Sequence, residues 1–227
     1  MSRNGFTHRR SAGVSIAPYD DANLAVHVGD EAESVARNRE LFAERRGVEP
    51  SNVVWMDQVH GVDVVVVDGP REAPRADALV TSRPGLVLAV LVADCVPIVF
   101  SSDEAVAVAH AGRRGAAGGI ALATVETMRA LGATSIEARL GPAICGACYE
   151  VPADMQAEVE AALRGSACTT ARGTAGLDLR AGLLRQLEAN GVAVDASTTC
   201  TAEAPHLYSH RRDGITGRQA GYVMLET

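Results

Sequence analysis

Hydrophobic positions recur along this chain in two periods. In 30–46 (DEAESVARNRELFAERR) the apolar residues fall near helical spacing and acidic side chains crowd the first turn, which predicts an amphipathic helix. The valine-rich arms of 53–70 predict two buried strands with His60-Gly61 at the bend between them. The apolar stretch 76–102 predicts a further strand pair interrupted at Asp94-Cys95. Segment 105–133 reads as a strand, a glycine-rich turn and a long helix ending near Gly132. After it, 136–151 reads as strand then loop, and a helix begins around Ala153. Segment 177–191 is another amphipathic helix, closed by Gly191. Turn signals at Asp213-Gly214 and Thr216-Gly217 precede a last strand. Strands and helices alternate, but the hairpin-like pairs are not βαβ units. The expected class is α/β in the broad sense (α+β or layered α/β): a layered single domain over 1–227 with mixed β-sheets flanked by helices. Residues 1–20 are expected to form an edge or flexible segment.

Composition narrows the function. With 227 residues and 47% hydrophobic content, the chain can bury a core. Its 28 acidic against 21 basic side chains give a net charge of −7, which argues against a general nucleic-acid binder. The basic residues are all arginine, which excludes a Schiff-base, P-loop or kinase-type lysine. No apolar run follows the basic start, and the apolar stretch 85–100 contains Asp94 and Pro97, so neither a signal peptide nor a membrane span is expected. Five cysteines without a framework spacing point to reduced thiols or metal ligands in a cytoplasmic protein.

His60, Cys95 and His110 each follow an expected strand, where a sheet presents side chains into a crevice. Together they would give zinc three protein ligands and leave a fourth position open, as catalytic sites do. None of the intervals is a recognised short zinc spacing, so position alone favours coincidence. The turn 110–119 (HAGRRGAAGG) leads into a helix, and its small residues with Arg113 and Arg114 suit an anion; a close-packed turn with solvated arginines fits it equally. Arg211, Arg212 and Arg218 form a second cluster that either faces the same crevice or solvates a loop. Cys145-Gly146-Ala147-Cys148 is a lone C-x-x-C, read as a loop with reduced thiols, and Cys168 and Cys200 have no visible partners. Asp57, Asp77, Asp94 and Glu150 are candidates for proton transfer, and nothing local selects one.

Five segments in order, DQVHG, ADALVT with ADCVPIVF, AVAHAGRRG, GPAICGACYEV and SHRRDGITGRQAGY, resemble the YfiH or laccase-domain family, also called the multicopper polyphenol oxidase or peptidoglycan editing factor family. The similarity runs from about Asn23 to Tyr222. It implies a layered α/β fold shared with a bacterial deamidating toxin domain, and a zinc site made by His60, Cys95 and His110. It also implies phosphorolysis of purine nucleosides (adenosine, inosine, guanosine, methylthioadenosine) together with adenosine deamination, with phosphate held by the 110–119 turn and Arg114. Arg114, Arg211 and Arg212 are the expected phosphate- or substrate-binding residues. Arg113 stands where the family usually has Trp. Six histidines without an H-x-H pair argue against native copper laccase chemistry, leaving adventitious copper in the zinc site. Two other readings stay open: a metal-free thiol hydrolase with Cys95 as nucleophile and His110 or His60 as base, and a peptidoglycan-precursor editing factor.

Overall fold

Two sheets stack face to face because their central strands are apolar on both sides. The computed structural model describes residues 2–226. Its first half contains β1 (Ser2–Phe6), α1 (Ala32–Glu44), β2 (Val53–Val54), β3 (Val64–Val66), β4 (Ala78–Thr81), β5 (Val87–Val92), β6 (Val96–Ser101) and β7 (Val106–Ala111). The second half adds α2 (Arg113–Gly118), α3 (Ile120–Ala130), β8 (Glu137–Leu140), α4 (Ala153–Ala162), β9 (Ala167–Thr169), β10 (Ala175–Leu177), α5 (Leu179–Ala189), β11 (Ala193–Ala196), α6 (His210–Asp213) and β12 (Gln219–Leu225). One sheet has the order β1-β12-β5-β2, the other β11-β8-β6-β7-β4-β3, and β9 pairs with β10 in a small ribbon. Parallel pairs (β2-β5, β3-β4, β8-β11) and antiparallel ones coexist, so both large sheets are mixed.

Side chains alternate along β5, and that alternation builds the layers. Val87, Ala89 and Leu91 pack with Phe42 and Ala43 of α1. Leu88, Val90 and Val92 meet Leu79, Val99, Val106 and Val108 of the six-stranded sheet. That sheet's other face, with Ile98, Phe100, Ala107 and Ala109, is covered by Ile120, Val125, Met128, Val159, Leu183 and Leu187 of α3, α4 and α5. The result is helix, sheet, sheet, helix. Each fully buried Leu, Ile or Phe contributes about 1.5–3 kcal/mol by leaving water.

Three expectations change in ways that matter for the site. The stretch 76–102 holds three strands rather than two, because Pro84 and Gly85 (φ 81°) turn the chain between β4 and β5. Moreover, β5 and β6 belong to different sheets, so Asp94-Cys95 is a crossing between sheets and no hairpin bend. Likewise β2 and β3 are two and three residues long and lie in different sheets, with His60-Gly61 in the crossing between them. The glycine-rich turn after His110 is itself helical: α2 starts at Arg113, and Gly119 in the left-handed region (φ 93°) separates it from α3. Strands β9, β10 and β11, only three or four residues long, carry no sequence signal strong enough to read. Among the described residues, no helix is long and apolar enough to cross a membrane.

Candidate metal centre and its cavity

The two sheet crossings and the end of β7 meet at one place. His60 and Cys95 come from the crossings and His110 from β7, and their ligating atoms all lie within 4.8 Å of one another. The His60 and His110 rings sit edge to face, with centroids 4.6 Å apart. Gly112 closes the group. A Cβ there would lie 3.0 Å from His60 Cδ2 and 3.2 Å from Cys95 Sγ, so only hydrogen fits without moving a ligand.

Asp77, just before β4 and fully buried, organises the centre. Its Oδ1 accepts from the His60 amide at 2.9 Å and faces His110 Nδ1 at 2.8 Å. Its Oδ2 accepts from the Gly61 amide at 2.6 Å and the Val59 amide at 3.2 Å. Those amide bonds hold His60 in the left-handed region (φ 60°), which an isolated histidine rarely adopts. A carboxylate accepts only, so His110 carries its proton on Nδ1 and turns Nε2 towards Cys95 and His60. Burial pushes the Asp77 carboxyl up; the His110 ring and the Gly61 and His60 amides outweigh it and hold it below its ordinary value.

Cys95 behaves accordingly. Burial raises its thiol, but hydrogen bonds and charge from His110 and His60 bring it down to about 6. His110 is pulled down by burial and raised to about 9 by Asp77 and Cys95. The pair therefore favours thiolate beside imidazolium, and the thiolate is the form that ligates metal or acts as a nucleophile. Two histidines, one thiolate and a buried carboxylate behind His110 fit a zinc ion with one open position.

Asp94, in the left-handed region at φ 92°, fastens the Cys95 crossing. Its Oδ1 accepts from Thr201 Oγ1 at 2.6 Å and its Oδ2 from the Arg211 amide at 2.7 Å. Beside it a cavity of about 200 Å3 opens onto Cys95, walled by Ile144, Tyr149 and Leu179 and edged by Arg113, His210 and Arg211. The Arg211 guanidinium stacks over the Tyr149 ring at 4.9 Å. Burial and the charge of Cys95 push the Tyr149 hydroxyl up, against Arg113 and Arg211.

The profile of the family described as multi-copper polyphenol oxidoreductase laccase matches residues 3–226. The chain belongs to that family. A Streptomyces coelicolor member, named a purine nucleoside phosphorylase, is 50% identical over 98% of this chain and 95% of its own. Escherichia coli YfiH, also named a purine nucleoside phosphorylase, is 40% identical over 95% of this chain and 91% of its own. Two solved structures share the layered fold. A Bacillus licheniformis YfiH protein matches with a TM-score of 0.90 at 31% identity, covering 99% of this chain and 93% of that one. YlmD of Geobacillus stearothermophilus matches at 0.88 and 32%, covering 100% and 92%.

The arginines singled out in this family member divide. Arg211 edges the cavity. Arg114 is exposed and its guanidinium reaches the Val59 carbonyl at 3.4 Å, on the His60 side. Arg212 is fully engaged: it donates to the Thr201, Ala204 and Leu207 carbonyls at 2.7–3.0 Å and pairs with Asp213 at 2.7 Å. Arg218 donates to the Thr216 and Gly217 carbonyls. Of the four acidic candidates, Asp77 and Asp94 are held by the contacts above, Glu150 pairs with Arg172 at 3.5 Å, and Asp57 is exposed at an isolated bridge to Arg75. Tyr149 and His210 escaped the sequence reading although their neighbours Glu150 and Arg211 were singled out, because sequence order does not show which side chains of a loop face a cavity. The C-x-x-C is not alone: Cys200 and Glu203 come within 4.8 Å of it, closeness that only the folded chain creates.

Proposed function

We propose that this chain is a zinc-dependent purine nucleoside phosphorylase with adenosine deaminase activity, acting in the cytoplasm on adenosine, inosine, guanosine and methylthioadenosine. Its partners are then nucleoside and inorganic phosphate, with no nucleic acid and no membrane. The observation that carries this reading is the cavity on Cys95, apolar along Ile144 and Leu179 and cationic at Arg113 and Arg211. The phosphorylase names of relatives at 40–50% identity over nearly the whole chain support it.

His60, Cys95 and His110 would hold the zinc, which when bound supplies Lewis-acid polarisation at the cavity floor. The apolar walls suit the face of a purine. Arg113 and Arg211 suit phosphate, because forked donors beside a cavity bind oxyanions bidentately. Arg114, on the His60 side, would add field rather than direct contact, and Arg212 would hold the 201–207 backbone that carries its neighbour. His210, with Asp94 and Cys95, is one of the cavity groups able to take a proton. Its Nδ1 faces the Gly214 carbonyl at 2.6 Å, an acceptor only, so the proton sits on Nδ1 and Nε2 keeps its lone pair. Phosphorolysis joins a phosphate oxygen to the ribose anomeric carbon as the bond to the purine nitrogen breaks.

The test is turnover of inosine with and without phosphate, and of adenosine to inosine, alongside metal content. Hypoxanthine release that requires phosphate and falls away in Cys95→Ala is the expected result. No phosphate-dependent release from any of the four nucleosides would overturn the reading. The lowered Cys95 thiol also favours a second reading, a metal-free thiol hydrolase. Activity that survives chelation but not alkylation would select it. Copper oxidase chemistry fits less well, since among the described residues only His60 and His110 of the six histidines enter a potential metal cluster. A role in peptidoglycan-precursor editing would appear as altered wall peptides with unchanged purine pools in a deletion strain.

A further inference from the structure

Two tight turns outside the catalytic cluster carry ligating side chains at their first and fourth positions. In one, the Cys148 and Tyr149 amides both donate to the Cys145 carbonyl at 3.0 Å. In the other, the Glu203 and Ala204 amides donate to the Cys200 carbonyl at 3.3 and 3.0 Å. Such a turn brings residues i and i+3 to one side. The turns are also fastened to each other. Ala143 and Cys200 form a parallel bridge, the Thr201 amide donates to the Ala143 carbonyl at 3.1 Å, and the Cys145 amide lies 3.3 Å from Cys200 Sγ. The sulfurs of Cys145, Cys148 and Cys200 and a carboxylate oxygen of Glu203 therefore all fall within 4.8 Å of one another. All three cysteines are free of disulfides.

We propose that this cluster is a second metal site, a closed structural zinc site of three thiolates and one carboxylate. A tetrahedron with zinc–sulfur bonds of about 2.3 Å and a zinc–oxygen bond of about 2.1 Å has a sulfur–oxygen edge of about 3.6 Å. Cys148 Sγ and Glu203 Oε1 stand 3.6 Å apart. Four protein ligands leave no position for substrate, which is the mark of a structural site, and C-x-x-C is a common zinc-ligand spacing. Thiolates select zinc over magnesium and calcium. The four anionic ligands exceed the ion's charge by two, and the Arg211 guanidinium, 3.5 Å from the Cys148 carbonyl, lies close by to offset part of it. Arg212 donates to the Thr201 and Ala204 carbonyls of the second turn, and Arg211 to the Glu150 carbonyl beyond the first. The consequence reaches the cavity. Ile144 and Tyr149 flank the first turn and form cavity walls, and the Ile144 amide donates to the Asp94 carbonyl at 3.0 Å. Zinc here would staple the wall to the 200–204 turn.

The experiment uses the full chain carrying Cys95→Ala, which lacks the catalytic cluster, so its outcome does not depend on the nucleoside reading. That protein should keep one zinc per chain. Cobalt(II) in its place should show strong thiolate-to-metal charge transfer, and Cys145, Cys148 and Cys200 should resist a thiol reagent until chelator is added. Adding Cys148→Ser, at a partly exposed position, or Glu203→Gln, at an exposed one, should weaken zinc affinity at least about tenfold, since loss of an outer-shell partner alone costs that much. A Cys95→Ala protein without zinc would overturn the proposal. So would zinc indifferent to both further substitutions, or thiols that react at once or pair as a disulfide.

Discussion

Replacing Asp77 by Asn tests whether this buried carboxylate builds the centre. The side chain keeps its shape, but one of its two acceptor oxygens becomes a donor. The amide has two orientations and both fail. With its oxygen towards His110 and His60, the new NH2 faces the Gly61 and Val59 amides, which now lie 2.6 and 3.2 Å from a carboxylate oxygen. Two half-buried donors are left without their acceptor, at up to about 1–3 kcal/mol each. In the other orientation the NH2 faces the His60 amide, which loses its acceptor, and His110 Nδ1, which must give up its proton to accept. That proton moves to Nε2, and the nitrogen aimed at Cys95 loses the lone pair a metal needs. The first outcome lowers stability by up to about 2–6 kcal/mol, or roughly 4–24 °C in Tm for a chain of this length. Either one lowers metal affinity roughly 10–100-fold. Thermal unfolding followed by circular dichroism, with zinc titrated against a competing chelator, reads both quantities. An Asp77→Asn protein with unchanged Tm and unchanged zinc affinity would refute the role given to Asp77.

Gly112→Ala places a methyl 3.0 Å from His60 Cδ2 and 3.2 Å from Cys95 Sγ, while the backbone φ of −72° accepts alanine. Zinc affinity should fall roughly tenfold with the fold intact, and unchanged affinity would contradict the packing argument. Arg211→Ala should raise the phosphate KM roughly tenfold with little change in Tm, whereas Arg212→Ala should cost about 2–4 kcal/mol of stability because three carbonyls lose a charged donor. Steady-state kinetics and denaturant unfolding separate the two, and the reverse pattern would show that their roles are exchanged. Glu160 accepts from the Gly165 and Ala167 amides, which together hold its carboxyl below the ordinary glutamate value. A folded-state pKa below the unfolded one means stability present above about pH 4.3 and lost as pH falls through the folded value. Glu160→Gln should therefore be less stable than wild type at pH 7, with the gap closing towards pH 3. A gap equal at both pH values in urea unfolding would contradict this.

The apolar run of β5 could be read as a buried strand because all six residues are hydrophobic, and burial on both faces demands that. Helices α1 and α5 were legible from periodicity, and α3 and α5 from their stops, with Gly132 at φ 96° after α3 and Gly191 at φ 76° closing α5 as its position implies. Sheet membership was not legible. A strand's pattern records which faces are buried but not by which layer. Thus β5 and β6, both apolar and nearly adjacent, read as a pair although one lies in each sheet. The same limit hid β2 from β3, where the pairing that defines each strand is only two or three residues long.

The same physical fact explains why the centre was half visible. A chain leaving one sheet for the other must run past the ends of the strands, and there its backbone cannot pair in either ladder. Its polar groups need other partners. Asp77 supplies them for the 59–61 crossing. For the Asp94-Cys95 crossing, the Asp94 side chain does so by accepting from Thr201 and Arg211. Each crossing thus has a carboxylate acceptor, a residue with positive φ and a ligating side chain, and the two come together only because both crossings lie where β7 ends. Sequence order shows three chemically able residues at the ends of apolar runs. It does not show that the runs change layer, and the change of layer is what brings His60, Cys95 and His110 within bonding range of one ion.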